Sequence, residues 1–386
     1  MKIAMIGHKR FNPLEGGIEK VVYEQSIRMA ARGHKVICYD RGGKGLYDTD
    51  YEAKGLKEYK GVRIVTIPTV KGAAEVPLYS FLAVFRAVID GCDVICFHGS
   101  GSCNMIPIGR LFRKRCIGLI HGIDSRRDKW HGFAVKYLEH GEKTAAKMAN
   151  ACLVLSEHDR QYFKEKYGAD TIRFANGVAK PERKSPDIIQ QKHGLTEGSY
   201  ILALSRITPE KGLHYLIEAY RDVASEKKLV IAGGMDSPDY EKQLRDLADG
   251  DPRVMFAGFV KGQEKAELYS NAYLYCMPSN LEGMANTLLE AMAYGNCCLL
   301  SDIAENKEPA GDHALYFHKG DAAGLRSQLA DLVKSPETVE RYRRTAADYV
   351  CERYNWDLIT DQMLDIFSGK RSADYAEYMP RNGIAL

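Results

Sequence analysis

Short apolar runs alternate with helix-like stretches along this chain, and the alternation runs through twice. The first series opens at Lys2–Ile6 and continues through Lys35–Tyr39, Val62–Ile67, Asp93–Phe97, Cys116–His121 and Ala151–Leu155. Helical patterns such as Ile18–Arg32 and Tyr79–Ile89 separate them. The second series runs through Tyr200–Ser205, Lys228–Ala232, Arg253–Phe256, Ala272–Cys276, Cys297–Ser301 and Ala314–Phe317. Gly212–Val223, Tyr240–Leu247 and Asn286–Tyr294 lie between these as helices. Strands that take turns with helices pair in parallel, because each helix carries the chain back before the next strand begins. Two such series predict an α/β chain of two Rossmann-like domains, with parallel sheets facing each other across a cleft. The stretch from Asn176 to Ser199 is rich in Pro, Lys and Gly and lacks a period. It predicts a linker near Pro181–Pro186. The expected domains are residues 1–180 and 181–364, with a tail of about 365–386 packing back on the first. Glu337–Phe367 reads as a last helix-like segment, partly anchored by Trp356.

Charge is divided unevenly between the halves. Residues 1–184 carry 32 Lys and Arg against 20 Asp and Glu, while residues 185–386 carry 22 against 31. A basic first half suits something anionic: a membrane surface, a phosphorylated substrate or a nucleic acid. No nucleic-acid-binding module pattern is present, so nucleic acid is not expected. The ten cysteines show no C-x-x-C spacing, which predicts reduced core residues of a cytoplasmic protein. No secretory signal is apparent, and no run approaches the ~20 apolar residues that span a bilayer.

Ligands of parallel sheets sit beyond the carboxyl ends of the strands, so the chemistry belongs to the loops there. Gly16-Gly17-Ile18-Glu19 follows the first strand and opens a helix, where backbone can approach a phosphate closely. The G-x-G-x-x-G dinucleotide fingerprint is missing, although Asp40 ends the second strand; this argues against a nicotinamide-dependent dehydrogenase. In the second half, Ser205-Arg206-Ile207-Thr208-Pro209-Glu210-Lys211-Gly212 puts two cations on the loop beyond a strand. Arg206 offers a planar fork for phosphate oxygens and Lys211 a mobile point charge. His121-Gly122-Ile123-Asp124 ends a strand of the first half and predicts a His at the cleft. Glu282 and Glu290 bracket a turn that opens a helix, with Asn286 or a neighbour as its cap. Such a helix start attracts an anion. Carboxylates beside an anion site suit sugar hydroxyls, and phosphate next to polyol describes a nucleotide-sugar.

Two further patterns are weaker. Asp48-Thr49-Asp50 has the spacing that holds a divalent ion on diphosphates, but no strand leads into it, and no metal site is expected. In Met105–Cys116, Arg110, Arg113, Lys114 and Arg115 mingle with Leu111 and Phe112, and Arg126, Arg127 and Lys129 precede Trp130. That mixture suits an anionic membrane or a lipid-phosphate acceptor.

Taken together, these motifs resemble those of the retaining glycosyltransferases of family 4, over nearly the whole chain. Gly16-Gly17-Ile18-Glu19 looks like the family's N-terminal glycine loop, and His121-Gly122 like its His at the donor sugar. Arg206 and Lys211 fall at its diphosphate-binding pair, in a stretch that begins here with Ser205 instead of Gly. Glu282 to Glu290 matches its E-x7-E signature within EGMANTLLEAMAYG. The resemblance implies the GT-B fold and sugar transfer from a UDP-, dTDP- or GDP-linked donor to an acceptor hydroxyl. It implies retention at the anomeric carbon with no metal or other cofactor. Glu290 would bind the ribose, Glu282 the donor sugar, and Gly17 would approach the diphosphate. Backbone near Met284, Ala285, Asn286 and Thr287 would hold sugar or phosphate, and Phe259-Val260 would meet the base. His121, Glu282, Arg206 and Lys211 would carry the chemistry, with Glu19, Asp124 and Arg126 toward a saccharide or lipid-linked acceptor. The products expected are surface polysaccharide or glycolipid, made by a protein peripheral to the inner face of the cell membrane. A nucleotide-sugar epimerase of the same fold is the alternative, needing an acid/base pair near the ring. A non-catalytic membrane assembly factor is disfavoured by the intact Arg206, Lys211 and Glu290.

Overall fold

The computed structural model describes residues 1–43, 55–70, 72–126, 130–234 and 237–370. Its chain divides into two units, Met1–Gly177 joined by the segment from Trp356 onward, and Val178–Asn355.

The N-terminal unit is built on eight strands: β1 (Lys2–Ile6), β2 (Lys35–Arg41), β3 (Glu58–Tyr59), β4 (Val62–Ile67), β5 (Val94–His98), β6 (Arg115–Ile120), β7 (Ala151–Val154) and β8 (Ile172–Arg173). They lie in the order β3-β4-β2-β1-β5-β6-β7-β8. Every pairing is parallel except that of the short edge strand β3 with β4. β1 sits mid-sheet and its Ile3, Ala4, Met5 and Ile6 are fully buried. A continuous apolar run of that kind is what a strand covered on both faces requires.

Six strands make the C-terminal sheet: β9 (Tyr200–Leu204), β10 (Lys228–Ala232), β11 (Val254–Gly258), β12 (Leu274–Met277), β13 (Cys298–Ser301) and β14 (Leu315–Phe317). All are parallel, in the order β11-β10-β9-β12-β13-β14. Each sheet grows outward from its first strand and then reverses direction. The reversal leaves a crevice beyond β1 and β5 in one unit, and beyond β9 and β12 in the other. These are the topological switch points where such sheets take their ligands.

Two segments differ from the sequence expectation for physical reasons. Glu337–Phe367 is two helices, Pro336–Arg353 and Trp356–Ser368, broken where the chain leaves the C-terminal unit. Trp356 is buried against Gly177, where a Cβ would lie 2.4 Å from the indole ring. Its helix packs on helix Gly17–Ala31 of the N-terminal unit, with Arg32 donating to Asp361 at 2.8 Å and to Asp357 at 2.9 Å. The expected linker contains a helix, Asp187–His193. Its first turn is satisfied from a distance: Glu267 accepts from the Ile188 and Ile189 amides at 2.7 and 3.0 Å. A cap supplied by another helix leaves no mark in the local sequence.

The cysteines take the core positions expected of them. Nine of the ten are buried, Cys351 is half-buried, and none is paired. Burial pushes the Cys297 thiol up to about 12.

Candidate active site

In the C-terminal unit the site grows from the loops that follow β9 and β12. The loop after β9 makes one 3₁₀ turn, Pro209–Lys211, and closes at Gly212 with φ +64°. A Cβ on Gly212 would stand 2.1 Å from the Pro278 carbonyl oxygen, so only glycine lets the two loops touch. The Asn280 amide then donates to the Glu210 carbonyl at 2.8 Å. This docking delivers Lys211 to Glu282, with Nζ 2.7 Å from both carboxylate oxygens. The two side chains are only 13% and 7% exposed, so little water screens the pair. Arg206 is exposed on the same loop. Each loop also buries a hydroxyl without a partner among the described residues: Thr208 Oγ1 and Ser279 Oγ.

Glu290 stands in helix Asn286–Ala293, with Oε2 2.7 Å from Lys265 Nζ. The buried Tyr269 hydroxyl adjoins it. Burial first, and then the charge of Glu290, hold that phenol protonated well above its ordinary range. The helix begins at Asn286, as the sequence predicts, but without a side-chain cap. Its N-cap is Ala285. Met284 and Ala285 are buried, whereas Asn286 and Thr287 are half-buried. An N-terminus with no side-chain cap keeps its positive dipole end for an incoming anion. At the neighbouring edge, β11 ends at Gly258; Phe259 beyond it is exposed and Val260 buried.

The N-terminal unit presents its own crevice after β1 and β5. Gly7 directly follows β1 with φ +114°, and a Cβ there would meet the His98 carbonyl oxygen at 2.1 Å. Gly16 precedes helix Gly17–Ala31 in an extended conformation. Glu19, expected toward an acceptor, is buried and accepts from the Lys9 amide at 2.9 Å. It braces the glycine loop rather than facing outward. Arg126, also expected there, lies over the Tyr162 ring at 4.4 Å. Asp124 starts a short 3₁₀ turn whose carboxylate comes near Gly99. His121 directly follows β6, and its Nε2 is 3.0 Å from Nδ1 of His98. Asp48, Asp50, Arg127 and Lys129 lie outside the described residues.

Sequence reasoning missed Lys265, Tyr269, His8 and His98. Lys265 and Tyr269 sit a whole strand away from Glu290 in the chain and meet it only through the fold. His98 carries one usable signal, since it ends a strand beside the reversal of the sheet.

The two units match separate families. Residues 15–179 match Glycosyltransferase Family 4, and residues 185–349 match Glycosyl transferases group 1. Alpha-maltose-1-phosphate synthase of Mycobacterium tuberculosis is 30% identical over 179 residues, 42% of this chain and 46% of that protein. The chain therefore spans under half the length of that relative. The gpi3 subunit of phosphatidylinositol N-acetylglucosaminyltransferase from Schizosaccharomyces pombe is 24% identical over 359 residues, 90% of this chain and 76% of that one. Among solved structures, Anabaena HepE in complex with UDP and glucose superposes with a TM-score of 0.79 at 18% identity, covering 96% of this chain and 100% of that one. Nothing in these likenesses favours an epimerase. The chain therefore has the GT-B fold, with a glycosyltransferase family model matched along each of its two parallel-sheet units.

Proposed function

We propose that this protein is a retaining glycosyltransferase of family 4. It moves a sugar from a UDP-, dTDP- or GDP-linked donor to an acceptor hydroxyl in the assembly of surface polysaccharide or glycolipid. The observation that carries this reading is the Lys211–Glu282 pair, buried where the loops after β9 and β12 dock. A cation there can neutralise a departing diphosphate, and a carboxylate beside it can hold sugar hydroxyls. The HepE structure, which contains UDP and glucose, and the glycosyl-transferring relatives support a nucleotide-sugar donor.

The mechanism follows from charge. The bond from the anomeric carbon to the diphosphate breaks as Lys211, Arg206 and the start of helix Asn286–Ala293 stabilise the leaving group. The acceptor oxygen bonds to the same face of that carbon and gives its proton to a departing phosphate oxygen. Glu290 grips the ribose, Gly16 and Gly17 approach the diphosphate, and Phe259-Val260 meets the base. His121 orients the sugar. Neither a protein nucleophile nor a metal enters the scheme. Turnover in EDTA equal to that in buffer is the expected result; loss of turnover that Mn²⁺ restores would overturn the metal-free scheme.

An anionic membrane surface is the proposed site of work. No helix among the described residues is long and apolar enough to cross a membrane. Helix Glu75–Ile89 carries Leu78, Phe81 and Ile89 exposed along one stripe, and Phe81 joins Phe112 through Phe85 in a chain of ring contacts. Leu111 beside them is 77% exposed, and Arg110 and Arg113 are exposed too. Arg115 is excluded from this face, because its guanidinium donates to the Ile366 carbonyl at 2.9 and 3.1 Å. Neutralising Arg110, Arg113 and Lys114 together should weaken binding to phosphatidylglycerol vesicles by roughly 10²-fold, at about 1 kcal/mol per cation. Unchanged vesicle sedimentation would remove the membrane from the scheme.

A further inference from the structure

The side chain of Glu290 is 11% exposed and is met from helix Gly262–Asn271, which begins just beyond Val260. Two side chains of that helix, one turn apart on one face, adjoin the carboxylate. Lys265 brings Nζ to 2.7 Å from Oε2. Tyr269 brings its hydroxyl. Lys265 has no task in the scheme above.

The two neighbours act differently. Tyr269 is sealed in the core, its ring stacked on that of Tyr294 at 13° with 5.4 Å between centroids. It anchors the helix that carries Lys265, and its hydroxyl also lies 3.3 Å from the Thr287 carbonyl oxygen. Lys265 supplies charge. A carboxylate largely removed from water is expensive unless a cation faces it. The ammonium is itself held between that carboxylate and the Tyr269 ring, 5.9 Å from the ring centroid. A carboxylate pinned through one oxygen cannot swing about its terminal bond without losing the ion pair. A vicinal diol needs such restraint. Two hydroxyls on adjacent carbons must donate to one carboxylate together, and each bond weakens steeply as its angle departs from linear.

We propose that Lys265 is a positioning residue: it pins the Glu290 carboxylate toward the ribose, so that the protein prefers a ribonucleotide to its 2′-deoxy counterpart. Of the donors named above, this favours the UDP- and GDP-linked over the dTDP-linked. The proposal rests on the ribose role proposed for Glu290. Lys265 acts through that carboxylate and needs no contact of its own with the nucleotide.

Calorimetry on the full chain in EDTA tests this, with UDP against 2′-deoxy-UDP and GDP against 2′-deoxy-GDP. The natural protein is expected to hold one ribonucleotide at least ~10-fold more tightly than its deoxy form, the scale of one hydrogen bond to a charged group. Lys265→Met keeps the length of the side chain and removes the charge. It should weaken the ribonucleotide about tenfold and leave the deoxynucleotide unchanged, so that the preference disappears. Lys265→Arg returns a cation and should return most of the preference. A merely structural role would weaken both nucleotides alike in Lys265→Met, and that result overturns the proposal. So does a preference that survives in Lys265→Met, or natural protein that holds both forms equally. Glu290→Ala separates the two claims. If it keeps the preference, the ribose role of Glu290 fails and the proposal fails with it. If it loses the preference while Lys265→Met keeps it, the ribose role stands and the positioning by Lys265 alone is wrong.

Discussion

Lys211→Ala is expected to lower sugar transfer by at least ~10²-fold, the scale of losing one group that stabilises transition-state charge. Its second effect follows from geometry. Lys211 Nζ is bonded to both oxygens of Glu282, and the carboxylate is 7% exposed. Removing the lysine leaves a buried carboxylate unpaired, which costs about 3–5 kcal/mol. The variant should therefore melt earlier as well as turn over slowly. Lys211→Met combined with Glu282→Gln separates the two effects. Both charges go together, so stability should return while activity stays low. Initial rates and thermal midpoints of the three proteins decide this. Near-normal turnover in Lys211→Ala would refute the assignment of the site.

Glu290→Ala should cost at least ~10²-fold in kcat/KM for the donor. Here the stability effect is expected to be small. Lys265, its partner, is 31% exposed and can turn to water. A ribose contact made equally in ground and transition states appears as a raised KM. A fall confined to kcat would instead place Glu290 at the reacting carbon and exchange its role with that of Glu282.

The same two glutamates show what the sequence made legible. Their spacing, with the Arg206–Lys211 loop before them, was enough to single out both carboxylates and the lysine. The apolar runs were enough for two parallel sheets, because burial on both faces leaves an unbroken signal in residues such as Ile3–Ile6. The pairings were not legible. Lys211 meets Glu282 across 71 positions, and only because Gly212 lets one loop rest on Pro278. Glu19 was expected toward an acceptor by resemblance to the family. The fold turns it inward to the Lys9 amide. Arg115 counted toward a basic face until the returning helix Trp356–Ser368 took its guanidinium. Each of these contacts is made outside the local stretch that a sequence pattern describes.

Binding of the donor to the C-terminal unit's switch point is the central claim, and it can be measured before any acceptor is known. The protein would be heated with UDP-, GDP-, ADP- and dTDP-sugars in turn, in EDTA, alongside Lys211→Ala. A ligand held only by the folded state raises the midpoint by mass action. The account predicts a raised midpoint with one of these nucleotide-sugars for the natural protein, and its loss in the variant. A midpoint indifferent to every nucleotide-sugar, or an equal rise in Lys211→Ala, would contradict it.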